Sequence, residues 1–308
     1  MSATILVTAL APAAWGTTYL VATQLMPAGR PLSTAAIRVL PIGLLLTLIA
    51  RQRPRGVWWW RTAVVGTLNI GAFQALLFVA AYRLPGGVAA TAGAIQPLVA
   101  AALAAWLLGE RFTRRVGLAG VAGVLGVGVL VSAPGAALDA VGVAAALAGT
   151  VAMATGVVLT KRWGRPVGLL TSTGWQLLAG GLLLAPLALL VEGQPPAFTV
   201  ANWIGSGWLA VVGTGLAYVV WFRGIERLPV NAISFLALVS PLVATVAGWA
   251  ALGQALSVVQ LLGAVLIIGA VVAPQLPYRA SVVDSTDLDA QVGPGVAAGS
   301  TPSPRAVS

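Results

Sequence analysis

The sequence predicts an all-α integral membrane protein: ten transmembrane helices forming two inverted five-helix repeats, with both termini on the cytoplasmic side. Three observations predict it. Ten apolar runs follow one another, each close to the roughly 20 helical residues needed to cross a bilayer. The cations separating them fall on alternate sides. The second half of the chain also repeats the first after an odd number of crossings. Composition agrees: 59% of the residues are hydrophobic and 8% charged, against about 25% charged in soluble domains.

The first run, Ile5–Met26, is long, lacks a basic leader and is followed by nine more, so it reads as a retained helix and not a cleaved signal. Leu32–Ala50 carries a lone cation, Arg38. Thr62–Tyr82 follows three tryptophans, Trp58, Trp59 and Trp60, of an interfacial belt, and contains Asn69 and Gln74. Val88–Leu108 contains Gln96 and Pro97. Val116–Val131 holds no polar side chain but a ridge of Gly117, Gly120, Gly123 and Gly126, suited to close scaffold packing or to contact with a second copy in a homodimer. Val141–Thr160, Gly168–Val191, Trp203–Phe222, Val230–Leu252 and Val258–Ala273 complete the set. A lipid-exposed backbone must satisfy its own hydrogen bonds and no alternating ten-residue pattern occurs, so these runs are helices and not barrel strands. From Pro274 onward the chain turns to Ser, Pro, Asp and Gly, the composition of a disordered cytoplasmic tail. The expected units are 1–133, 134–274 and the tail 275–308.

With the N-terminus inside, 14 of the 17 Lys and Arg lie at internal loops or in the tail. Arg30 and Arg83 fall outside, and Arg38 lies within a span. The net charge of +10 is therefore explained by topology, and no nucleic-acid partner is implied. The chain has no Cys and no His, which removes disulfides, thiolate catalysis and the usual transition-metal ligands. No nucleophile with its base and no paired intramembrane acids are present, so an enzyme is not expected, nor a metal or cofactor.

A shift of 144 positions places Arg83-Leu84-Pro85 on Arg227-Leu228-Pro229 and, without a gap, Pro97-Leu98-Val99-Ala100 on Pro241-Leu242-Val243-Ala244. The register continues through Leu108-Gly109 on Leu252-Gly253. Earlier spans align at slightly smaller shifts: Gly16 meets Gly156, and Arg38 with Leu44-Leu45-Leu46 meets Gln176 with Leu182-Leu183-Leu184. Five spans per unit is an odd number, so the second copy enters the bilayer from the opposite side. Inverted duplication is the architecture of secondary transporters, whose substrate lies near the midplane between the repeats.

These residues resemble the drug/metabolite transporter superfamily in its ten-helix form with duplicated EamA domains. The resemblance rests on Trp15-Gly16-x2-Tyr19, Arg38, Pro97 with Leu108-Gly109-Glu110-Arg111, and Pro241 with Leu252-Gly253. The segments Tyr82-Arg83-Leu84-Pro85-Gly86-Gly87, Lys161-Arg162-Trp163-Gly164-Arg165-Pro166, Thr173-Gly174-Trp175-Gln176 and Trp221-Phe222-x-Gly224-Ile225-Glu226 are similar to its PecM-like branch, named for a probable blue-pigment exporter. The resemblance implies export of amino acids, related metabolites, dyes or drugs from the cell across the plasma membrane; broad-specificity drug efflux or metabolite uptake is the alternative. The second repeat carries Gln254 where the first has Glu110.

Candidate substrate contacts follow from polarity inside the spans. Arg38 lies about six residues, roughly 9 Å, below the outer end of its helix, where a lipid-facing charge costs about 2.5–3.5 kcal/mol. It either grips an anionic group of the substrate through its guanidinium fork, or snorkels outward or ties helix ends together through backbone carbonyls. Trp15, Thr18 and Tyr19 share one helix face, fitted to stack a flat substrate or to pack a neighbouring helix. Asn69, Gln74, Gln96 and Gln176 are amides on several spans that line a shared polar cavity or join helices. Trp175, Tyr218 and Trp221 are candidate walls, with the interfacial belt as the other reading of Trp221. Pro97 and Pro241 are expected to kink their helices and expose a carbonyl. No acid lies deep in a span. Transport is therefore expected to be facilitated export down a gradient, or else coupled through Glu110 at an internal helix end.

Overall fold

The computed structural model describes residues 3–83, 93–130, 139–252 and 257–276, apart from the side chains at 19, 81, 82 and 252. Among these residues every regular element is helical. In chain order they are α1 (Ala3–Leu25), α2 (Pro31–Ala50), α3 (Trp58–Gly66), α4 (Ala72–Arg83), α5 (Gln96–Leu108), α6 (Arg114–Leu130), α7 (Ala140–Trp163), α8 (Leu169–Glu192), α9 (Val200–Ala210), α10 (Ala217–Arg227), α11 (Val230–Leu236), α12 (Val239–Leu252) and α13 (Val258–Val272). Eight helical stretches are long and apolar enough to cross a membrane, and α5 is a shorter apolar helix. The two other expected spans, Val88–Leu108 and Val116–Val131, correspond to α5 and α6. Residues 88–92 and 131 of those spans lie outside the described residues, as does the tail from 277.

Helix ends follow from local sequence. Ser257 and Gln260 form a reciprocal capping box on α13, and Thr199 with Asn202 forms another on α9. Asp139 caps α7 by accepting from the Gly142 N–H at 2.6 Å. Pro31 opens α2, where its missing N–H costs nothing. Gly109, at φ 69°, closes α5 in the left-handed conformation, and its N–H donates to the Ala104 carbonyl.

Two pairs of helices are each interrupted rather than separate. α3 runs into α4 through a π turn, Thr67–Gly71, and α9 runs into α10 through another, Val211–Leu216. Thr67 and Val211 stand 144 residues apart, the same interval that superposes the two Arg-Leu-Pro turns. Short turns also precede both intrahelical prolines. Pro97 sits in the first turn of α5, and Pro241 is the third residue of α12. A proline cannot donate to the carbonyl four residues back, and at the second site the Ser240 N–H takes the Ala237 carbonyl instead, at 3.1 Å. The sequence predicts kinks within continuous spans; the helices break just ahead of the prolines.

Among the described residues the most extensive pairing is α2 with α8, which run antiparallel: Ser33 lies by Glu192 at one end and Gln52 by Trp175 at the other. Glycines permit the approach. A Cβ at Gly43 would collide with the backbone of Leu177 and Leu178, and one at Gly181 would stand 2.8 Å from the Cα of Leu40. The α6 glycine ridge meets this chain's own helices: Gly126 lies against Gly263, Leu266 and Ile267 of α13, and Gly123 against Leu238 and Ala270.

The distribution of polarity is that of a protein dissolved in lipid. Leu48, Trp106, Leu118, Leu190 and Val265 are among many large apolar side chains exposed at 60% or more, while Arg38, Asn69, Gln74, Gln96 and Gln176 are buried.

Candidate functional site

The second π turn supplies the unusual feature of the interior. Its widened register takes the Ala217 N–H to the Val212 and Thr214 carbonyls, so the Gly213 carbonyl loses its usual helical donor. Two side chains from the other half of the chain occupy it. The Trp15 indole Nε1–H donates to the Gly213 oxygen at 3.0 Å, and the Arg38 Nη2 donates to the same oxygen at 2.8 Å. The Arg38 Nε–H donates to the Thr214 hydroxyl at 3.1 Å.

Arg38 is 3% exposed, and among the described residues no carboxylate lies within ion-pair distance of it. The ion pairs present, Arg83 with Asp139 and Arg165 with Glu226, are at partly exposed positions. The guanidinium is thus held by dipoles and not by a counter-charge.

An aromatic cluster adjoins this cation through Trp15, which shares the Gly213 oxygen with it. Trp15 stands edge-on to Trp221, with centroids 5.1 Å apart, and tilted against Tyr218 at 5.3 Å; Tyr218 packs on Phe222 at 5.7 Å. Trp221 is fully buried, which assigns it to this cluster and not to an interfacial belt. Tyr218 faces both Arg38 and the Gln74 amide. The Thr18 hydroxyl is buried without a hydrogen-bond partner beside Gly213, and the Gln74 Oε1 is buried and unpartnered. Tyr19 belongs to the same helix, but its side chain lies outside the described residues.

A second polar cluster forms around the first π turn. The Asn69 Nδ2 donates to the Thr160 hydroxyl at 2.9 Å and to the Gln176 Oε1 at 3.2 Å. Gly156 makes room for it, since a Cβ there would overlap the Asn69 side chain. The two clusters have the same plan: Arg38 of α2 reaches the turn 211–216, and Gln176 of α8 reaches the turn 67–71.

The structure therefore gathers Trp15, Thr18, Arg38, Gln74 and Tyr218 in one place, and Asn69 with Gln176 in another. Gln96 opens α5 with its Nε2 buried and unpartnered. Trp175 belongs to neither cluster, because its indole N–H donates to the Gln52 carbonyl at 2.9 Å, at the end of α2. Sequence reasoning missed the Gly213 carbonyl, Thr214 and Thr160. A backbone acceptor leaves no mark in composition, although the 144-residue register sets Gly213 opposite Asn69. Trp59 and Trp60 are exposed, and the Arg61 guanidinium lies over Trp58, Trp60 and Trp163 at 5.4–5.7 Å.

Comparisons with known proteins place this architecture. The EamA-like transporter family matches residues 2–132 and again 140–273. The chain is 46% identical over 267 residues to Protein PecM of Dickeya dadantii, covering 86% of this chain and 90% of that one. It is 28% identical to the WAT1-related protein At3g02690, chloroplastic, of Arabidopsis thaliana, over 85% of this chain and 67% of the relative. It is also 28% identical to the inner membrane transporter YedA of Escherichia coli K12, over 84% and 86%. A crystal structure at 23% identity superposes with a TM-score of 0.76, covering 89% of this chain and 96% of the other, and shares the fold. With a bundle that turns apolar side chains outward, a family match over both halves and 46% identity to Protein PecM, the chain is a multi-pass membrane protein that belongs to the PecM-like branch of the EamA-like transporter family.

Proposed function

We propose that this protein is a secondary transporter of the plasma membrane that exports small amino-acid-like or amphipathic aromatic metabolites by alternating access. Ten crossings form two inverted repeats, 1–133 and 134–274, with both termini in the cytoplasm. The observation that carries the reading is the reciprocal latch at the centre. Arg38 of the first half reaches the π turn of the second, and Gln176 of the second half meets Asn69 in the π turn of the first. The twofold family match and the 144-residue register support the duplication. Two like units in opposite orientation can exchange conformations, which yields outward- and inward-open states from one set of contacts.

In this reading the substrate's anionic group replaces the Gly213 carbonyl on the Arg38 fork, and the Trp15, Tyr218 and Trp221 rings take its flat or apolar part. Among the described residues the buried polar side chains include no carboxylate, which supports movement down a metabolite gradient over proton exchange. The partners are the lipid bilayer and the small-molecule cargo; the α6 glycine ridge is taken up by this chain's own helices and gives no ground for a homodimer. Purified protein in liposomes, loaded with radiolabelled zwitterionic metabolites and assayed for efflux and counterflow, tests the function. Saturable counterflow above protein-free liposomes is expected, and its absence across amino acids and aromatic metabolites would overturn the reading.

A further inference from the structure

The short helix α11 is parted from its neighbours at both ends. Leu228, in an extended conformation, and Pro229 separate it from α10, and a turn at Ala237 and Leu238 separates it from α12 just ahead of Pro241. A segment of this kind can swing about one end once the other is released.

Its first end is held by a clasp from two neighbouring helices. The Glu110 Oε1, just past the end of α5, accepts from the Val230 N–H at 3.0 Å. The Lys161 ammonium, in the last turn of α7, donates to the Glu226 carbonyl at 3.1 Å and to the Leu228 carbonyl at 2.8 Å. Arg165, just past α7, is bonded to the Glu226 carboxylate. The second Glu110 oxygen is shielded from solvent, and Lys161 interacts electrostatically with both Glu110 and Glu226. An open cavity of about 460 Å³ enters at this end and stops at the clasp: Glu110, Lys161, Leu228, Pro229 and Asn231 are in its wall, and no residue of the Arg38 cluster is.

The clasp belongs to one face of the molecule. In the registers that pair Gly16 with Gly156 and Arg83 with Arg227, the positions opposite Glu110, Lys161, Arg165 and Glu226 are Gln254, Val21, Leu25 and Tyr82, none of them charged. Among the described residues the matching turn at Arg83 is tied by an ion pair with Asp139 at 3.5 Å, at exposed positions where such a pair adds little. Two like halves would leave both faces equally ready to open, and charged contacts at one face alone remove that balance.

We propose that α11 is a hinged gate, clasped shut by Glu110, Lys161 and Arg165, and that the clasp sets the resting state of the protein as closed on this face. The clasp stands on the geometry alone. Its use as a gate rests on the transport reading above, in which this face is the cytoplasmic one.

The chain has no cysteine, so introduced thiols report the gate without background. Ser234 lies on α11, wholly buried and with its hydroxyl unpartnered, whereas Asn231 lines the open cavity. Ser234→Cys and, as the accessible reference, Asn231→Cys are reacted with 2-trimethylammonioethyl methanethiosulfonate in inside-out and right-side-out vesicles. Ala232→Cys, also buried, replaces Ser234→Cys should that variant fail to fold. From the clasped face the thiol at 231 should react readily and the one at 234 slowly. Adding Glu110→Gln or Lys161→Met should raise the rate at 234 about tenfold from that face and not from the other, because reaction of a buried thiol follows the population of the open form. Lys161→Arg, which keeps the charge and donors, should fall between parent and Lys161→Met. An unchanged rate in both clasp variants, or an equal rise from both faces, which marks general loosening, would overturn the gate. A covalent clasp gives the second arm: Glu110→Cys and Asn231→Cys joined by a short bis-methanethiosulfonate should stop counterflow until the link is reduced, and full counterflow in the linked protein would also overturn the gate. Absence of counterflow in the parent, with the clasp-dependent reactivity intact, would instead remove the transport reading and leave the hinged, clasped segment standing.

Discussion

Arg38 could be picked out by its charge alone, because a guanidinium cannot be neutralised and a lipid-facing position would cost about 2.5–3.5 kcal/mol. What holds it could not be read in advance. Its main acceptor is the Gly213 carbonyl, a group that every residue owns and that only the local π register frees. Removing the fork tests its role: Arg38→Ala should lower flux of anionic and zwitterionic substrates at least about tenfold, equivalent to 1.4 kcal/mol, with the amount of protein in the membrane unchanged. Arg38→Lys keeps the charge but not the two-point grip and should fall between the alanine variant and the parent. Unchanged flux in the alanine variant would remove Arg38 from the site. Asn69 gives a structural counterpart. Gly156→Ala drives a methyl group into it, and overpacking of this kind costs about 1–3 kcal/mol. The thermal midpoint in detergent should drop measurably, and an unaltered midpoint would contradict the packing described here.

Helices were the most legible feature, since each apolar run had to satisfy its own backbone. Their interruptions were not. Pro97 and Pro241 signalled a disturbance, but its place, just ahead of each proline, depends on which neighbouring N–H takes the carbonyl that the proline leaves. The π turns carry no proline at all and become visible only when 67–71 and 211–216 are set in one register. The entry of α2 shows an element completed from a distance. The Glu192 carboxylate accepts from the Leu32 N–H at 2.6 Å, the Ser33 N–H at 2.9 Å and the Ser33 hydroxyl at 2.6 Å, filling the positive end of the helix from the far end of α8. Arg30 reinforces the junction through the carbonyls of Glu192 and Gln194. Glu192→Gln weakens a charge-assisted cap by about 1–2 kcal/mol. Hydrogen exchange at Leu32 and Ser33 should accelerate about five- to thirtyfold, the range to which that energy corresponds; exchange at the parental rate would show that the carboxylate adds nothing.

At the scale of the molecule, amides and a guanidinium sit inside while Leu48, Leu190, Trp106 and Trp203 are among the many apolar side chains that face outward, which hydropathy alone made legible. Which amides meet was hidden, because Asn69, Thr160 and Gln176 lie up to 107 residues apart and are joined only by packing. The absence of buried carboxylates among the described residues leads to a further expectation. Liposomes given an inward or outward pH gradient should equilibrate substrate faster than protein-free controls without concentrating it, and strong uphill accumulation would show that a peripheral acid such as Glu110 carries protons. All of these readings depend on the two halves standing in opposite orientation. Arg83 and Arg227 occupy matching positions 144 residues apart, and both are exposed. Single Arg83→Cys and Arg227→Cys variants of this cysteine-free chain, treated in intact cells with a membrane-impermeant maleimide, test that claim most directly. Labelling at position 83 from outside, and at position 227 only after the membrane is opened, is the predicted result; labelling of both from the same side would contradict it.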